Sequence, residues 1–433
     1  MTWRFKRALS LAAFLSVIAC VLLSTTRAHA FPWMIREGYT GCNTCHADPS
    51  GAGILTQYGR GMEEVVLRMQ YVKKDDPGKV GNFAFGVDLP EQLLLQTDFR
   101  NLVMALVPTA TSGQVSVQDI VMQLDQSAQL KLGRFRVMGS IGYTPPTETS
   151  GDFVFTGGGN GATITRPPGT YGDVVARQYW LGFDIGKDEE FLLRVGRMNV
   201  PYGIRTIEHP FLVRSVTRTD INTSQEHGVT LAYSGEKVRG EVMAILGNYQ
   251  IDSTGNGDEF RERGGSAFAE WFPSTHVAIG ASALITYAAL ARTDLDPSLA
   301  AAPTWRQNYA IHARISPVKA LVLLAEVDAL NNSQWVNDTA QNHFGLAGLL
   351  QADLAVVQGV HVLAAAEAYD GHIHEFNNEF DKTTAVGWLG AWYFFAPHLD
   401  ARFDVVYASQ SLSAGASPVA QGLSFLFQVH GYL

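Results

Sequence analysis

The chain has 433 residues, 41 of them acidic and 32 basic, a net charge of −9, and a composition 46% hydrophobic but only 17% charged. That acidic balance excludes a basic stripe able to track nucleic-acid phosphates. Past the first thirty residues no apolar run reaches the length of a membrane-crossing helix, and three cysteines exclude a disulfide framework.

Residues 1–30 read as an export signal. Arg4, Lys6 and Arg7 precede an apolar run from Ala8 to Leu23, and Ala28-His29-Ala30 is a small–x–small cleavage site. A lipoprotein site ending at Cys20 is the weaker reading, because apolar residues continue past that cysteine. Cleavage before Phe31 removes four basic residues and Cys20, leaving 28 basic against 41 acidic residues, a net −13, with Cys42 and Cys45 as the remaining cysteines.

Residues 31–80 read as a small, partly helical segment. Cys42-Asn43-Thr44-Cys45-His46 is the attachment motif of a c-type haem, in which two thiols bond the haem vinyl groups and the adjoining imidazole ligates the iron. One motif implies one haem. The competing reading, a redox or structural disulfide, lacks the βαβ pattern that usually surrounds one. Leu55, Tyr58, Met62, Val65 and Met69 step by three and four, which predicts one amphipathic helix. Met62 on that stripe is the candidate sixth ligand, with Met34 and Met69 as alternatives and His276, His398 and His430 as histidines able to reach the haem. Each methionine could equally be core packing. Fifty residues are few to wrap a haem, so the segment is expected in or under the lumen of the remaining chain.

Residues 81–433 carry a different period. Leu423, Phe425, Phe427 and Val429 alternate with Ser424, Gln428, His430 and Tyr432. Leu321, Leu323, Ala325 and Val327 alternate with Glu326 and Asp328, while Ala401, Phe403, Val405 and Tyr407 alternate with Arg402 and Asp404. Ile120, Met122 and Leu124 alternate with Gln123 and Asp125. Strands with one apolar and one polar face predict an all-β fold, a transmembrane antiparallel β-barrel of about 16 strands with lipid outside and a wet lumen. The strand centres fall near residues 98, 123, 138, 180, 195, 231, 243, 269, 282, 311, 324, 348, 364, 390, 404 and 427. Short connections such as Gly186–Glu189 and Ser316–Lys319 alternate strictly with long ones such as Pro145–Gly172, Pro201–Glu226 and Gly371–Lys382. That rhythm predicts an outer-membrane protein with short periplasmic turns, long external loops and both barrel ends at the periplasm. A soluble β-sandwich or propeller would also alternate, but explains neither the rhythm nor the strand length.

Two external-loop clusters could bind ions. His372, His374 and Glu375, with Asp370, Glu379 and Asp381, suit Fe(II) or another divalent ion, although a solvated polar loop is the plainer reading. Asp252, Asp258 and Glu259 could suit calcium, but match no known ligand spacing. Glu326, Asp328, Asp400, Asp404, Arg134, Arg136 and Arg402 are expected to face the lumen, cross-bracing it or lining a cation path. No nucleophile triad, phosphate loop or zinc signature is present, so nothing marks an enzyme acting on a small molecule.

One resemblance is specific. Pro32, Arg36, the cysteine pair six residues after Arg36, and the run Leu55-Thr56, Tyr58, Gly59, Arg60 resemble the fused monohaem cytochrome–porins of iron-oxidising bacteria over residues 31–65. The barrel adds a porin-like Gly196-Arg197-Met198-Asn199-Val200-Pro201-Tyr202-Gly203. The resemblance implies outer-membrane electron transfer through a single haem. External Fe(II) would be donor, and a periplasmic c-type cytochrome or other carrier acceptor, with the direction of flow open. The alternative is a solute-selective porin whose haem segment is a plug or redox sensor.

Overall fold

The structure, a computed structural model, describes residues 32–51, 53–69, 89–108, 115–143, 174–206, 211–219, 224–247, 262–288, 304–336, 339–371, 383–396, 398–411 and 418–432. The expected signal segment and, apart from Asp370, both loop clusters of candidate ion ligands, His372, His374 and Glu375 among them, lie outside the described residues.

One antiparallel sheet closes on itself. Its strands are β1 (Leu93–Pro108), β2 (Ser116–Leu132), β3 (Phe135–Tyr143), β4 (Val174–Val175), β5 (Tyr179–Ile185), β6 (Phe191–Asn199), β7 (Gln225–Ser234), β8 (Val238–Gly247) and β9 (Arg263–Ser274). They continue as β10 (Val277–Ala288), β11 (Thr304–Val318), β12 (Leu321–Val336), β13 (Thr339–Val357), β14 (Val360–Asp370), β15 (Thr383–Ala396), β16 (Leu399–Ser411) and β17 (Pro418–Tyr432). β4 and β5 both pair with β3 and together make one interrupted stave, so the barrel has sixteen. Pairing of β1 with β17, from Asp98↔Tyr432 to Pro108↔Gly422, closes it and leaves no open edge. All sixteen expected centres lie on strands. The alternation of loop lengths is not strict, because only residues 337–338 separate β12 from β13 on the long-loop side.

The two faces separate as the period-two pattern requires. On β16, Phe403 is 44% exposed and Asp404 6%, which puts the ring on the outer belt and the carboxylate in the lumen. Arginine at Phe403 or Val405 is therefore expected to cost about 2–4 kcal/mol, read from denaturant unfolding in detergent or lipid. Arginine at Gln123, which faces a lumen cavity, is expected to cost much less. Equal costs would mean that the faces are reversed.

The sheet departs from the expected pattern on β2. Arg100 pairs with Gln123 but Asn101 with Val121, so Met122 is the extra residue of a β-bulge. The bulge reverses the faces: Ile120 and Met122 pack against Leu102 and Met104 inside, while Leu124 points outward.

The lumen is not simply wet. Part of the expected external loop 201–226 folds inward, carrying helix α2 (Leu212–Thr217). Phe211, Leu212 and Val213 pack on an apolar band of the inner wall that includes Leu102, Met104, Leu349, Trp388, Val406 and Leu426. Glu326 and Asp328, expected lumen carboxylates, hold this insert. Glu326 accepts the Ile204 N–H at 2.6 Å and pairs with Arg214, and Asp328 accepts the Tyr202 hydroxyl at 2.8 Å. Arg402 and Asp404 pair side by side at 2.7 Å, and Arg136 meets Asp184 at 2.7 Å. Cross-bracing therefore accounts for these charges. Arg134 is the exception, exposed at the β2–β3 turn rather than in the lumen.

Candidate functional site: a cysteine-lined cavity in the lumen

Residues 32–69 occupy the short-turn end of the lumen as a plug. The 3-10 turn Pro32–Glu37 buries Trp33, Met34 and Ile35 against Phe272, Leu324, Leu363, Trp392 and Phe394 of the wall. Each such side chain contributes about 1.5–3 kcal/mol of apolar burial. Arg36 is buried and pairs with Asp353 on β13, which also accepts the His361 ring N–H at 3.0 Å. Burial lowers the Arg36 guanidinium to about 10, so it stays charged at neutral pH. Lys319 meets Glu37 at 2.9 Å, and His276 Nδ1 donates to the Ile35 carbonyl at 3.0 Å, which assigns His276 to docking.

The motif itself forms a helical turn, with the His46 N–H on the Cys42 carbonyl at 3.0 Å. The chain then reverses through Gly51 and Gly53, both at positive φ, so that Leu55 bridges back to His46. A side chain at Gly51 would lie 3.0 Å from the Cys42 sulfur, hence a residue without one. The reversal places the Gly53 carbonyl 3.2 Å from His46 Nδ1. A carbonyl only accepts, so Nδ1 carries the hydrogen and Nε2 the lone pair, the form in which imidazole ligates a metal. Burial also holds the His46 pKa below its ordinary value, favouring that neutral ring.

Helix α1 (Gln57–Met62) comes next, shorter than the stripe from Leu55 to Met69 suggested. Leu55 is held in the bridge, and the Thr56 hydroxyl starts the helix by accepting the Gly59 N–H at 3.1 Å. A π turn, Glu63–Leu67, ends it, and Met69 leaves as extended chain donating to the Phe394 carbonyl at 2.9 Å. Gly59 lets α1 approach the motif, since a Cβ there would run into the Cys45 carbonyl. Arg60 donates to the Leu95 carbonyl of β1. The residues that carry the family resemblance therefore close the plug on its cysteines or tie it to the wall.

Cys42, Cys45, His46 and Met62 line one cavity of about 1380 Å³, counting space open to solvent. Leu55 and Gly59 line the plug side, and Gln96, Asp98, Arg100, Arg177 and His430 the wall. The cysteines are buried free thiols. Burial, with Cys42 beside it, pushes the Cys45 thiol up to about 12. Arg239 of β8 donates to the Cys42 sulfur at 2.8 Å and meets Glu270 at 2.5 Å, while Glu270 also takes Arg314 at 2.8 Å. Asp48, two residues past His46, pairs with Arg194 at 2.8 Å. Sequence reasoning missed Arg239, Arg194 and Glu270, which carry no local signal of their partners. Met34 lines the cavity too, but Met69 and His398 do not.

A closed sixteen-stave barrel with an outward apolar belt is the form of an outer-membrane protein. OmpT of Vibrio cholerae matches it with a TM-score of 0.54 at 10% identity, over 80% of this chain and 100% of that one. The barrel has the porin fold. OprB of Pseudomonas putida matches with a TM-score of 0.53 at 11% identity over 79% and 94% of the two chains. The outer-membrane channel DcaP of Acinetobacter baumannii gives 0.52 at 10% over 79% and 97%. No protein-family model and no curated protein matches the chain. Lipid contact follows from the porin fold, which by itself is silent on the plug.

A c-type haem fits the residues of the cavity. Two free thiols and an imidazole with its hydrogen on Nδ1 face it, and its plug side is largely apolar.

Proposed function

We propose that this porin-fold barrel carries a single c-type haem in its plug and passes electrons across the outer membrane. The observation that carries the reading is the convergence of Cys42, Cys45 and His46 on one lumen cavity of a barrel whose inner wall also holds its own plug and the α2 insert. The haem would supply a one-electron couple. The chain's part is to bond it through Cys42 and Cys45, ligate it through His46, and hold it at the short-turn end, the periplasmic side in the proposed orientation. Of the cavity's side chains able to ligate iron, Met34 and Met138 are packed in apolar clusters, which leaves Met62 and His430 for the sixth position. The family resemblance supports external Fe(II) as donor and a periplasmic c-type cytochrome as acceptor.

The porin fold favours a second reading, a solute channel with the plug as gate or sensor, because a matched structure, DcaP, is described as a channel. One pair of experiments separates them. Electron transfer predicts reduction of the purified haem by Fe(II) and reoxidation by a periplasmic cytochrome, with little liposome swelling in sugars. Rapid swelling with a redox-inert haem would establish the channel instead.

A further inference from the structure

We infer that His430, on the last strand of the barrel wall, takes the sixth position of the iron, so that the haem is clamped between plug and barrel; this rests on the haem reading of the cavity. His430 is 6% exposed and lines the same cavity as Cys42, Cys45 and His46. Its Nδ1 lies 2.9 Å from Asp400 Oδ2, and a carboxylate only accepts, so the ring hydrogen sits on Nδ1. Asp400 is buried and fixed in turn by the Trp392 indole N–H at 2.7 Å on its other oxygen. Nε2 makes no hydrogen bond, and in the neutral ring it would carry the lone pair. The carboxylate nearest it, Asp98, is 3.8 Å away and accepts both contacts of the Gln96 amide, at 2.9 and 3.0 Å.

A buried imidazole nitrogen is seldom left without a partner, because its desolvation then goes uncompensated. A carboxylate on the far nitrogen is the usual support of a metal-binding histidine: it sets the tautomer, aims the ring and raises its basicity. His430 has both features. The competitors are otherwise engaged. Met62 Sδ already accepts the Tyr39 hydroxyl at 2.9 Å, Met34 is packed among Trp33, Ile35 and the wall, and His276 is bonded to Ile35.

The test uses full-length protein matured with haem and purified in detergent. Wild type is expected to give a low-spin spectrum of two imidazoles, with no sulfur-to-iron charge-transfer band. His430→Ala should leave ferrous haem five-coordinate and able to bind carbon monoxide, with six-coordination restored by imidazole in the buffer. His430→Met should raise the potential and introduce the sulfur band. Met62→Ala should leave the spectrum unchanged. A sulfur band in wild type that Met62→Ala removes would overturn the inference, as would a wild type with water in the sixth position. The wild-type spectrum decides even where a variant fails to fold. Absence of covalent haem from denatured wild type would be a different failure, that of the haem reading itself.

Discussion

Cys45→Ala is expected to lose most of the haem that denatured wild-type protein retains when it is made in cells with a c-type maturation system. Attachment through this motif would use both thiols, and among the described residues the cavity offers no third. Haem staining of a denaturing gel, with the pyridine spectrum of the purified protein, reads the result. Cys42→Ala should behave alike, while Met69→Ala, outside the cavity, should retain full staining. Wild type that stains no better than Cys45→Ala would leave the plugged barrel without its proposed cofactor.

Asp353→Ala is expected to weaken plug docking by about 3–5 kcal/mol, because it strands the buried Arg36 guanidinium without its counter-charge. That is roughly a hundred- to several-thousand-fold loss in the docking equilibrium. Protease sensitivity of residues 32–69 and single-channel conductance of the barrel both report it. The strands should stay folded, since their ladders do not depend on the plug. The double replacement Arg36→Met with Asp353→Leu should recover most of the loss, because an apolar pair replaces an ion pair in a dry contact. A single replacement that changes neither protease sensitivity nor conductance would show that the apolar contacts of Trp33 and Ile35 hold the plug alone.

Period-two alternation and the haem motif were legible in the sequence because both are local. Phe403 and Asp404 sit on opposite faces by the geometry of any strand, and sixteen alternating segments implied sixteen staves. Cys42, Cys45 and His46 sit within one turn of chain, so their spacing already implied their shared direction. The partners of the plug were not legible. Arg36 finds Asp353 across 317 residues, Arg239 finds Cys42 across 197, and no periodicity encodes either meeting. The stripe from Leu55 to Met69 read as one helix because periodicity cannot sense that Leu55 bridges His46 or that Met69 joins Phe394.

The same limit applies to the lumen. Ile120 and Met122 look like partners of Leu124 until the bulge at Met122 reverses them, and a bulge is settled by pairing with β1. Residues 201–219 look like an external loop until the band of Leu102, Trp388 and Leu426 gives Phe211 and Leu212 an apolar surface to cover. By itself, then, the sequence determined the strands, their faces and the haem-type motif. Which side chains meet across the lumen, those of the cysteine cavity among them, was decided only when β17 closed on β1, because barrel closure brings together residues that are hundreds of positions apart along the chain.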